Sequence, residues 1–117
     1  MMFKLFVLSS VVMVSTFLAK ATVACDISGV WSHAQKPATL MVDLVKGEVS
    51  VHSHDNNEKG IGLVVLKSLE LGATPSSWKA KMYSAPQDSF VDVQVLAKNC
   101  QQLIVRYKEE EVLKLLR

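Results

Sequence analysis

"WKAKMYSAPQDSFVDVQVLA" runs from Trp78 to Ala97, and both of its halves alternate. Trp78, Ala80 and Met82 stand two apart against Lys79, Lys81 and Tyr83; beyond the turn residues "APQD", Val91, Val93 and Val95 stand against Phe90, Asp92 and Gln94. A period of two is that of a strand with one dry and one wet face, because successive side chains leave a strand in opposite directions. The stretch therefore reads as two antiparallel strands joined by a short turn.

The same pattern extends both ways. Downstream, "KNCQ" turns the chain into "QLIVRY", where Leu103, Val105 and Tyr107 share a face. Upstream, "SGVWSH" is a short first strand, and "ATLMVDLV" sets Leu40, Val42 and Leu44 against Met41, Asp43 and Val45. "KGE" at Lys46 to Glu48 makes a hairpin turn into "VSVHSH", with Val49 and Val51 on one side and Ser50, His52 and His54 on the other. "DNNEKG" is a polar loop, and the apolar run "IGLVVLKSLEL" reads as a strand because of its β-branched residues and its glycine boundaries. The last ten residues, "KEEEVLKLLR", fit helical and strand spacing equally well. Short strands between turn signals at roughly ten-residue spacing predict an all-β antiparallel barrel or sandwich.

Before that pattern begins, residues 1–24 read as a signal peptide: Lys4, an apolar run from Leu5 to Ala19, and small residues up to Ala24. The run is shorter than the ~20 residues a permanent membrane helix needs, so no stable membrane span is expected. One domain, residues 25–117, remains. Of the chain's 13 basic and 11 acidic residues, Lys4 and Lys20 fall in the leader, which leaves 11 of each. A neutral domain offers no electrostatic case for nucleic acid as a partner.

Export brings an oxidising compartment and gives the two cysteines a use. A Cys25–Cys100 disulfide would close a loop of about 76 residues and contribute roughly 4 kcal/mol in the chain-entropy model. The competing reading makes Cys25 a lipid-anchored first residue, although Thr22 stands where such sites usually carry leucine, and leaves Cys100 unpaired.

Five landmarks, "GVW" at Gly29 to Trp31, "GLVVLKSLE" at Gly62 to Glu70, "WKAKMYSAPQDSF" at Trp78 to Phe90, "LIVR" at Leu103 to Arg106 and terminal Arg117, occur in an order that resembles the small exported bacterial proteins catalogued as domain of unknown function 2147. The resemblance implies a small up-and-down, lipocalin-like (calycin-type) barrel. The chain departs from the family's pattern at "HSHDNNEKG", at Ala80 in place of a usual glycine, and at "LKLLR", which lacks the usual aromatic. The resemblance further implies a structural lock at the closed end: the Trp31 indole plugs the floor, Arg106 or Arg117 covers its face, and Gly29 permits a close backbone approach.

Candidate chemistry is sparse. His52 and His54, read as sharing a strand face beside Asp55, are the weak metal candidates, but no further ligand segment completes a set. No nucleophile elbow, phosphate loop or HExxH occurs, and Ser76, Ser77 or Ser84 would need a histidine partner brought from elsewhere. No cofactor is expected. Met41, Trp78, Met82 and Phe90 are candidate walls of a pocket for a small apolar ligand. The sequence thus reads as a non-enzymatic, exported binding module in the periplasm of a Gram-negative bacterium; the alternative is a protein-interaction or envelope-stress protein with a filled barrel and an envelope protein as partner.

Overall fold

A computed structural model describes residues 25–117; the expected leader, 1–24, lies outside the described residues. Eight strands follow one another: β1 (Gly29–His33), β2 (Ala38–Asp43), β3 (Glu48–His54), β4 (Val64–Leu71), β5 (Ser77–Ser84), β6 (Ser89–Lys98), β7 (Gln102–Tyr107) and β8 (Glu110–Leu116). Each pairs antiparallel with the next, and β8 returns to β1, so the sheet is a closed up-and-down barrel. Closure leaves no long edge of unpaired backbone groups.

The ambiguous C-terminal segment is a strand. Lys108 and Glu109 both take positive φ, 50° and 70°, in the two-residue turn that sets Tyr107 opposite Glu110. That turn carries the twist antiparallel strands need. As a strand the segment satisfies the backbone of β7 on one side and of β1 on the other, which a helix would leave open.

Alternation fills the inside. Leu40, Val42, Val49, Leu66, Trp78, Ala80, Val93, Val95, Val105 and Leu115 are buried together around Trp31. Their outward neighbours carry the polar groups, and Lys81 of β5 pairs with Asp92 of β6 at 2.7 Å.

The floor is the end at which β1 begins and the β6–β7 turn lies. Trp31 is 1% exposed, and its indole N–H donates to the Ile27 carbonyl at 2.9 Å. The Arg117 guanidinium lies 4.1 Å from the Trp31 ring centroid. Its nitrogens donate to the carbonyls of Asp26, Ser28 and Cys100 at 2.9, 3.3 and 3.2 Å, and its backbone N–H donates to Gln101 at 3.0 Å. One planar cation thus joins the lead-in to β1, the β6–β7 turn and the chain's last residue. Arg106 is not the partner: it stands outward on β7, opposite Gln94 and Glu111.

Gly29 has a different role from the one expected. A Cβ built on it would meet nothing within 4 Å, so close approach is not the reason for a glycine; its φ of +109° is. Side-chain-bearing residues rarely adopt that conformation.

Cys25 and Cys100 form a disulfide with Cα atoms 5.3 Å apart. Cys100 sits in the β6–β7 turn, where it and Asn99 have φ of 56° and 53°. The bridge ties the same pieces of chain that Arg117 gathers.

In urea denaturation with the disulfide intact, Arg117→Met should lose about 1–2 kcal/mol, the scale of a stacked cation with charge-assisted hydrogen bonds at a partly wetted site. Arg117→Lys should recover only part of it, because an ammonium cannot fork or lie flat, and Arg106→Met should change stability by less than about 0.5 kcal/mol. Gly29→Ala should cost about 1 kcal/mol or more through backbone strain alone.

Candidate functional site: the barrel mouth

Opposite the floor the barrel opens. A cavity of about 340 Å³ lies at this mouth, walled by Leu40, Val51, Leu63, Val65, Met82 and Leu113, with His33, Lys36, His54 and Asn57 also lining it. Below it lies the buried cluster that includes Trp31, Leu40, Val42 and Trp78. The interior is therefore solid toward the floor and hollow toward the mouth.

Three register shifts shape this opening. Between β2 and β3, Thr39 faces Ser53 and Leu40 faces Val51, which makes His52 an extra residue. Between β3 and β4, Val49 faces Leu66 and Ser50 faces Val64, so Val65 is extra; between β7 and β8, Val105 faces Leu113 and Arg106 faces Glu111, so Val112 is extra. An extra residue bends its strand and re-aims the side chains beyond it.

The first shift corrects the histidine reading. Without it, His52 and His54 would share a face; with it, His54 pairs with buried Ala38 and turns into the mouth, while His52 is exposed. The weak metal pair is thereby separated. Among the described residues, no three His, Cys, Asp or Glu side chains come together around a common point.

His54 instead meets His33, the residue at the top of β1. Nδ1 of His33 accepts from the backbone N–H groups of Gln35 and Lys36 at 3.0 and 3.2 Å, and Nδ1 of His54 accepts from Asn56 at 3.2 Å. Both rings thus hold the turns that follow them. A neutral ring with an accepting Nδ1 carries its proton on Nε2. Burial, then the charges of Lys36 and His54, hold His33 below the ordinary histidine pKa.

Of the four residues expected to wall a pocket, the structure brings only Met82 to the cavity. Trp78 is buried in the packed half. Met41 stands between inward Leu40 and Val42, and alternation turns it out. Phe90 is also outward: it pairs edge-on with Tyr83, ring centroids 5.8 Å apart, and Lys67 Nζ lies 3.9 Å from its centroid. Ser77 hydrogen-bonds within the β4–β5 turn, at 3.0 Å to the Thr74 hydroxyl, and so lies at the floor end.

A second groove, about 590 Å³, runs along the outer face of β4 to β7 past Glu70, Lys79, Lys81, Asp92 and Arg106. It is the larger of the two, but it is an open sheet surface with charges of both signs, some already paired. The mouth is the concave site with an apolar wall.

Comparison with protein-family models, with curated proteins and with solved structures found no match to this chain. No helix among the described residues is long and apolar enough to cross a membrane.

The lowered basicity of His33 ties the stability of the fold to pH. Unfolded, this ring takes up its proton near the usual 6.5; folded, it does so only at lower pH. In the interval between, the unfolded chain holds more protons, so acidification favours unfolding. Urea midpoints measured across a pH series should fall as pH drops below about 6.5, and His33→Gln should flatten that part of the profile.

Proposed function

We propose that this chain is a non-enzymatic, exported binding module whose barrel mouth captures a small, largely apolar molecule in the periplasm of a Gram-negative bacterium. The observation that carries the reading is the cavity of about 340 Å³ above a filled floor. That volume falls at the small end of the roughly 300–1,000 Å³ typical of ligand pockets. Its wall is aliphatic apart from Met82, and its few polar groups gather at the rim, the usual division between affinity and orientation. A completely filled barrel would favour the protein-partner reading; the hollow mouth favours ligand capture.

The lipocalin-like identity and the resemblance to domain of unknown function 2147 belong to this proposal too. They are supported by the ordered landmarks from Gly29 to Arg117 and by the strand order of the closed barrel. The disulfide fits an oxidising compartment and accounts for Cys25 without a lipid.

Native mass spectrometry of the protein recovered from its own periplasm tests the reading. A small additional mass that leaves on unfolding is expected, and Leu113→Trp, which fills the mouth, should remove it while the chain stays folded. Protein that carries no added mass and also fails to take up a fluorescent apolar probe would refute ligand capture.

A further inference from the structure

We propose that the molecule held at the mouth carries an anionic head, oriented by His33, His54 and Lys36, with its apolar part directed down toward Leu40 and Met82. This rests on the ligand-capture reading above and adds the charge of the ligand to it.

Both histidines present Nδ1 to the backbone N–H groups of their own turns, so the acceptor nitrogen of each neutral ring is already used. What each ring has left is the Nε2–H donor. Lys36 adds an ammonium, which has donors only. Asn57 is the one lining side chain with an acceptor oxygen, and its amide also donates. No carboxylate lines the cavity: Asp55 and Glu58, which follow His54 in the chain, are exposed and outside its lining, and Glu111 is the register partner of Arg106.

A rim made almost wholly of donors cannot satisfy a cationic or purely donating head. It matches a group whose oxygens only accept, and a negative charge makes those hydrogen bonds the stronger kind. The mutual influence of these groups supports the geometry. Burial first, then Lys36 and His54, disfavour protonation of His33, and no carboxylate is among the lining residues.

The outer groove, by contrast, carries carboxylates as well as cations, and Lys81 pairs with Asp92 there.

Titration calorimetry of the disulfide-bonded protein with octanoate, octanol and octylammonium separates the head from the tail. Octanoate should bind roughly tenfold tighter than octanol, the scale of one charge-assisted hydrogen bond at a wet rim, and octylammonium more weakly than octanol. The octanoate advantage should shrink as salt is raised. Lys36→Glu should abolish that advantage, with residual octanol binding reporting that the cavity is intact, whereas Lys46→Glu, the same charge change in the exposed floor-end turn between β2 and β3, should leave both affinities unchanged. Equal affinity for octanoate and octanol would overturn the anionic head while sparing the cavity, and an octanoate preference that survives Lys36→Glu would overturn the assignment of this rim. If none of the three binds, ligand capture itself fails, and this inference with it.

Discussion

The stack of Arg117 on Trp31 stands where the barrel is thinnest. β1 and β8 share only two register pairs, Ser32 with Leu116 and His33 with Leu115, and one further backbone bond from Ala34 to Lys114. A short seam of this kind does not hold a sheet shut on its own. Below it, the guanidinium takes three backbone carbonyls from segments far apart in sequence while its face covers the indole. The Cys25–Cys100 bridge fastens the same two segments covalently. Closure is therefore maintained from the floor, and the strands above follow.

That placement has a functional side. Because the buried cluster from Trp31 to Leu66 carries the packing, the mouth is relieved of it and can stay hollow. The three register shifts lie along the strands that reach the mouth, and each gives up a ladder position to turn a side chain or bend a wall. His33 and His54 both line this cavity, and in each ring Nδ1 holds the turn that follows.

Most of the barrel was legible because alternation is a direct projection of which face is dry. Trp78, Ala80, Met82 and the valines of β6 fall as read, and the chain's two cysteines form the disulfide they were expected to form. The candidate site was much less legible. A bulge adds one residue without altering composition, so "VSVHSH" looks like an unbroken alternation although His54 is turned round. Met41 illustrates a different error, a hydrophobic residue taken for an inward one although both of its neighbours already claimed the interior. Gly29 was rightly singled out for the wrong reason, since a positive φ leaves no trace in spacing. Lys36 could have been found only as the one cation in the turn between His33 and Ala38, a weak signal beside the histidines themselves.

The topology also bears on how the molecule assembles. Every pairing except the seam joins neighbours in sequence, so seven hairpins can zip locally, each with a short loop to close. The seam alone must wait for the first and last strands to meet, and that encounter carries the largest loop-entropy penalty. Cys25 and Cys100 lie 75 residues apart and span nearly all of it. With no third thiol in the chain to mispair with, oxidation records ring closure once and makes the slowest encounter a permanent one.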